Sequence, residues 1–188
     1  MPKLLNLLFS PQMSNKTERD KLKIPTTRIK ELRDQSGAGI MDCRNALLEA
    51  EGDAEKALEI LKQKGYLKAQ EKAERAASQG VIDAYIHAGG KIGAMVKVNC
   101  ETDFVARTDE FKELAHQLAM QITAMSPQFI SEEEASGEAD IELQSACLLL
   151  QPYIKDPDKT IQDIINETIA KTGENIKVSR FVRFEVGS

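Results

Sequence analysis

The feature that most constrains this chain is a change of hydrophobic period at Gly80. Before it, apolar residues recur at helical spacing; after it, they alternate. Residues 81–88 and 92–100 read as two strands joined by Gly89-Gly90-Lys91, so the stretch predicts an antiparallel hairpin. In the second strand Ile92, Ala94, Val96 and Val98 alternate with Gly93, Met95, Lys97 and Asn99, which buries one face. Phe111, Leu114, Ala115, Leu118, Ala119 and Ile122 then return to helical spacing, up to Ser126-Pro127. Thr160 and Asp163 form a capping-box pair ahead of a helix that buries Ile161, Ile164, Ile165 and Ile169 and stops at Gly173. Residues 176–186 alternate again and predict a third strand. Hairpin, helix, irregular acidic stretch, helix and strand make an α+β core over 81–188, with a small antiparallel sheet packed on helices.

Residues 26–66 predict three short helices. Thr26 or Thr27 caps the first, which carries Ile29 and Leu32 and ends at Ser36-Gly37-Ala38-Gly39. The second carries Met41, Ala46, Leu47 and Ala50 and stops at Gly52. Asp53 caps the third, with Ala54, Ala57, Leu58 and Leu61 on one stripe and Gly65 as its stop. Such a bundle has a thin core and suits docking better than catalysis. Residues 67–80 read as an Ala-rich, charged helix or linker to the core. Residues 1–25 read as a disordered leader: the apolar patch of Leu4, Leu5, Leu7, Leu8 and Phe9 is short for a signal sequence, and Met13 offers a second start.

Composition excludes several classes of function. The longest apolar runs are four or five residues, as over 146–150, too short to span a bilayer. The net charge is −5 over 188 residues, the wrong sign for gripping phosphate backbones. The acidity is concentrated in a run over 131–142, read as a solvated acidic loop. Cys43, Cys100 and Cys147 lie 57 and 47 residues apart, which is neither metal-ligand nor redox spacing, and suits a reducing cytoplasm. With only His87 and His116, a zinc site or a histidine-based triad would consume most of the histidine in the chain. No phosphate-binding glycine motif is present. Asp103, Asp109 and Glu110 could be imagined around a metal, but Thr108 capping a helix that opens with Asp109 and Glu110 explains those two acids without one. A Cys100 thiol enzyme would have His87 as its only candidate base. The expectation is a protein that is not an enzyme and holds no cofactor or metal.

Two segments stand apart. In Asn99-Cys100-Glu101-Thr102-Asp103-Phe104-Val105-Ala106-Arg107 a buried strand runs into a polar segment that keeps an aromatic. Phe104 either caps the core or protrudes as an apolar wedge beside a carboxylate. In residues 31–43 glycines allow a tight interhelical turn, and Ile40 and Met41 sit side by side. Either one is exposed as an adaptable contact, or both close the bundle.

Residues 32–43, 88–99 and 99–105 and the closing Arg180-Phe181-Val182-Arg183-Phe184-Glu185-Val186-Gly187 together resemble, in order, the translation elongation factor Ts family, over roughly 26–187. The resemblance implies an N-terminal module similar to ubiquitin-associated domains, an α+β core and one partner, the GTPase elongation factor Tu, in its GDP-bound and nucleotide-free states. It implies guanine-nucleotide exchange. Thr102, Asp103, Phe104 and Val105 would meet the GTPase's magnesium-binding region. Arg33, Ile40 and Met41 would lie on the docking face of the bundle, and Gln117, Leu118 and Met120 on a third contact. The single core repeat, with no long helical hairpin over 131–160, resembles the compact type, in which two copies pair as a homodimer. The alternative is a binding module whose bundle recruits a polypeptide while the core serves as scaffold.

Overall fold

The computed structural model describes residues 24–136 and 142–187. The leader therefore lies outside the described residues apart from Ile24 and Pro25, as does the middle of the acidic stretch. Helix α1 (Thr26–Ser36) starts one or two residues earlier than a cap at Thr26 or Thr27 implied. Neither threonine caps it; Pro25, fixed at φ −60°, is the N-cap, and its carbonyl accepts from Ile29 N at 3.3 Å. The left-handed Gly37 ends the helix. Helix α2 (Ile40–Glu49) and helix α3 (Ala54–Lys72) complete the bundle, and the Asp53 carboxylate accepts from Glu55 N and Lys56 N at the start of α3. Ile29, Leu32, Cys43, Ala46, Leu47, Ala57 and Leu61 form its core, whereas Ala54 is exposed.

Gly65 does not stop the third helix. Helix α3 runs through it for seven more residues, because Ala69 is buried in the larger core beyond. Packing of that half outweighs the roughly 1 kcal/mol by which glycine disfavours a helix interior.

The sheet consists of β1 (Gln79–Ile86), β2 (Ile92–Cys100) and a last strand, Lys177–Glu185, in the order β1, β2, last strand, antiparallel throughout. One helical turn, α4 (Asp103–Ala106), leads into the long helix α5 (Asp109–Met125). The inner sheet face, with Ala94, Val96 and Val98, packs on Phe111, Leu114, Leu118 and Ile122 of α5. Thr108 caps α5 by accepting from Phe111 N, as expected.

The stretch expected to be irregular is more ordered than its composition suggests. It holds two single turns, α6 (Glu132–Ala135) and α7 (Leu143–Ala146), and a hairpin of β3 (Pro152–Tyr153) and β4 (Asp156–Thr160). Much of this order comes from one buried amide. Gln121 of α5 donates from Nε2 to Gln151 Oε1 (3.2 Å) and to the Pro152 carbonyl (3.1 Å), and its Oε1 accepts from Ile154 N (3.0 Å). Helix α8 (Ile161–Thr172) opens on the Thr160–Asp163 capping box, buries Ile161, Ile164, Ile165 and Ile169, and ends at left-handed Gly173. It packs on both α5 and α3, which seats the bundle on the core. The last strand is β5.

The outer face of the sheet is apolar and, among the described residues, uncovered. Ile82 and Ile86 of β1, Met95 of β2, and Val182 and Phe184 of β5 share it by register, and all five are exposed. Lys97 and Arg180 pair at its other end.

Candidate functional site

Where β2 ends, Cys100 is fully buried and the chain turns outward. Thr102 takes an extended conformation (φ −123°, ψ 152°), and its Oγ1 accepts from Val105 N at 3.3 Å, capping α4. Within this turn Val105 and Ala106 point into the core, while Phe104 points out and is 82% exposed. A phenylalanine left in water forgoes roughly 2 kcal/mol of burial. Of the two readings the sequence left open, the structure selects protrusion; Val105 and Ala106, not Phe104, close the core at this corner.

Asp103 and Arg107, four residues apart, pair at 2.5 Å beside Phe104. Both are well exposed, so the pair contributes little to stability. Its effect is to surround the apolar ring with one negative and one positive group. Arg107 escaped the sequence reading, although its spacing from Asp103 was visible.

The turn is also held from a distance. Glu174, between α8 and β5, accepts from Glu101 N (3.1 Å) and Thr102 N (2.9 Å) through Oε2, and from the Thr102 hydroxyl (2.6 Å) through Oε1. Sequence reasoning missed it. The Cys100 thiol donates to the Thr102 carbonyl at 3.2 Å. Burial, followed by the nearby charge of Glu174, pushes that thiol above its ordinary range, which is the opposite of what a nucleophile needs. His87, its only candidate base, is hydrogen-bonded to the Tyr85 hydroxyl. Cys100 is a structural residue.

On the bundle, Ile40 (56%) and Met41 (61%) are both exposed, and Arg33 is exposed too. The bundle is closed by Cys43, Ala46 and Leu47 instead. On α5, Gln117 and Met120 are half-buried, with Gln117 donating to Glu113 Oε1. Leu118 is fully buried and Val105 nearly so, and neither presents a contact surface. Both were expected among the partner-binding residues; in the free chain each packs inward against its neighbours. Among the described residues no three His, Cys, Asp or Glu side chains gather as a metal site, and no helix is long and apolar enough to cross a membrane.

An apolar ring raised on a pinned turn, with a second exposed apolar pair on a helical bundle that has its own core, belongs to an α+β protein with two hydrophobic cores. The sequence model of the family described as Elongation factor TS matches residues 66–142 and 135–188. Elongation factor Ts of Thermoanaerobacter sp. (strain X514) is 48% identical, over 87% of this chain and 95% of the relative. That of Carboxydothermus hydrogenoformans is 46% identical over 87% and 89%, and that of Thermotoga neapolitana 48% over 85% and 95%. The chain belongs to the elongation factor Ts family. Its role is that of a translation elongation factor.

Proposed function

We propose that this chain promotes release of GDP from elongation factor Tu by surface contact, with no chemical step of its own. The observation that carries the reading is Phe104, 82% exposed on a turn that Thr102 caps and whose next two residues, Val105 and Ala106, are buried. An exchange factor must bind the nucleotide-free GTPase more tightly than the GDP-bound form. Swinging a two-state population from 1:99 to 99:1 takes about 5.5 kcal/mol of such preference. Phe104 supplies apolar area that only an opened partner can bury. The Asp103 carboxylate disturbs the groups that hold Mg²⁺ in the partner, and without the ion the GDP phosphates lose their main neutralising charge.

Arg33, Ile40 and Met41 form a second contact, and Gln117 and Met120 a third, so the bundle raises the effective concentration of the wedge at its target. The chain works in the cytoplasm, without direct nucleic-acid contact or cofactor. It does so as a homodimer, in which the uncovered outer faces of two sheets pack on each other in the manner of a β-sandwich. The exposed Ile40 and Met41 also suit the simpler reading, a bundle that recruits a polypeptide.

Stopped-flow release of a fluorescent GDP analogue separates the two. The unaltered chain speeds release, and Phe104→Ala together with Asp103→Ala removes the acceleration while complex formation persists. Acceleration that survives both changes removes the wedge from the account, and none from the unaltered chain sinks the exchange reading.

A further inference from the structure

Glu174 is the group that the exchange reading leaves unused. It stands 72 residues from Thr102 along the chain, yet its carboxylate collects three donors from Glu101 and Thr102, the residues that lead into the turn bearing Phe104. A carboxylate that accepts two backbone N–H groups and a hydroxyl is a charge-assisted anchor, stronger than the same bonds between neutral groups. The arrangement is reciprocal. Asn175 N donates to Glu101 Oε1 at 2.7 Å, so each glutamate satisfies the backbone beside the other.

Asn175 extends the knot. It is 2% exposed, and its Nδ2 donates to the carbonyls of Ala73 (3.2 Å) and Arg75 (2.7 Å), just past the end of α3. Arg75 in turn lies 3.6 Å from Glu101 Oε1. Thr102 is bonded at every polar atom: its carbonyl takes Cys100 Sγ and Ala106 N, its hydroxyl bonds both Glu174 and Val105 N, and its N–H goes to Glu174.

A single helical turn has little stability of its own, because one or two hydrogen bonds do not offset the cost of nucleation. A wedge transmits force only as far as its mounting resists. We infer that Glu174 is a positioning residue for Phe104, and that the Glu101–Glu174–Asn175 knot fixes the protrusion to the end of α3, the helix that also builds the docking bundle. Contacts made by the bundle and by the wedge are then set at one fixed spacing. The inference rests on the exchange reading of Phe104.

Glu174→Gln tests it in the full chain, since the amide keeps the shape but offers an N–H₂ where an acceptor is needed. Amide hydrogen exchange at Glu101 and Thr102 should rise about tenfold, in keeping with losing bonds to a charged acceptor. GDP release from elongation factor Tu at saturating factor should slow about tenfold, while the half-saturating concentration moves less than about threefold, as the bundle contacts remain. In a Phe104→Ala background the same substitution should change release less than about twofold, because a positioning residue has nothing left to position. Thermal melts report folding, and Glu174→Asp, with the charge kept and the reach shortened, should give a smaller loss.

Unchanged amide protection overturns the anchor. Loosened amides with undiminished release overturn the positioning role, as does a full additional loss on top of Phe104→Ala. If the unaltered chain leaves GDP release at its spontaneous rate, the exchange reading falls and the positioning claim with it, and the amide measurement still decides whether Glu174 holds the turn.

Discussion

The Tyr66 hydroxyl donates to the Asp163 carboxylate, which is also the acidic half of the capping box that starts α8. One side chain thus terminates a core helix and latches the bundle's third helix to it. Beside the latch lies a cavity of about 140 Å³ between the modules, walled by Leu58, Leu61, Gly65 and Ala170. Burial first, and then the hydrogen bond to Asp163, pushes Tyr66 up to about 12. At Asp163 burial pulls upward, but the bonds from Tyr66 and Thr160 outweigh it and hold the carboxyl below its ordinary value.

Both shifts give the latch a pH signature. Tyr66 holds its proton more tightly folded than unfolded, so its contribution is complete below pH 10 and is lost as pH rises towards about 12. Asp163 is shifted the other way, so its contribution is present above the ordinary value of 3.8 and is lost as pH falls through the folded pKa. Tyr66→Phe should cost about 1 kcal/mol near neutrality. It should also flatten the alkaline decline and shorten the acid one. Denaturant unfolding across pH 3 to 11 measures all three effects; an unchanged alkaline limb would mean that the latch does not form in solution.

Gln121 organises the β3–β4 region. Gln121→Leu fits the apolar surroundings but strands the buried Gln151 Oε1 and takes the acceptor from the part-buried Ile154 N. Each orphaned group costs about 1–3 kcal/mol, so the variant should lose roughly 2–4 kcal/mol in all. For a chain of this size that lowers Tm by about 5–12 °C, readable by calorimetry. A loss below about 0.5 kcal/mol would show that water satisfies these groups without the amide.

What was legible in the sequence follows from how local each signal is. The alternation of β2, the apolar stripes of α5 and α8, the Thr160–Asp163 box and the glycine stops at Gly37 and Gly173 are each written within a few residues of where they act. Residues 142–160 fold around a polar side chain from α5, and polar hubs leave no hydrophobic period to read. Glu174 is invisible for the same reason: its three donors lie more than 70 residues upstream. Leu118 and Val105 teach the converse. A motif says which residues travel together, not which way each one points. The apolar stripe that Leu118 shares with Phe111, Leu114 and Ala115 already assigned it to the core.

The uncovered sheet face gives a test of pairing. Phe184, 70% exposed, stands on that face beside Val182 and Met95. Phe184→Asp should convert a sedimenting dimer to a monomer and leave protomer stability within about 0.5 kcal/mol, since an exposed position away from the core tolerates change. A wild-type chain that sediments as a monomer at micromolar concentration, or a variant that remains a dimer, would remove the sheet face from the account.

Two glycines should respond to alanine with opposite sign. Gly65 sits inside α3 at ordinary helical φ, and a Cβ there would meet nothing within 4 Å because it would project beside the module cavity. Gly65→Ala should therefore stabilise by about 0.5–1 kcal/mol, through helix propensity and a less free unfolded chain. Gly80 sits in β1 at φ +148°, opposite Asn99, where a Cβ would run into the Val98 carbonyl oxygen and lie 2.8 Å from Asn99 Cα. Those are backbone atoms of the central strand and cannot step aside, so Gly80→Ala should cost about 2 kcal/mol or more. The strain would fall at the strand end that carries Cys100 and Thr102, so the loss should be accompanied by faster amide exchange at those two residues. Paired melts of the two variants decide the matter: a stabilised Gly80→Ala would mean that β1 and β2 separate enough to admit a methyl group, and a destabilised Gly65→Ala would mean that α3 bends there in solution.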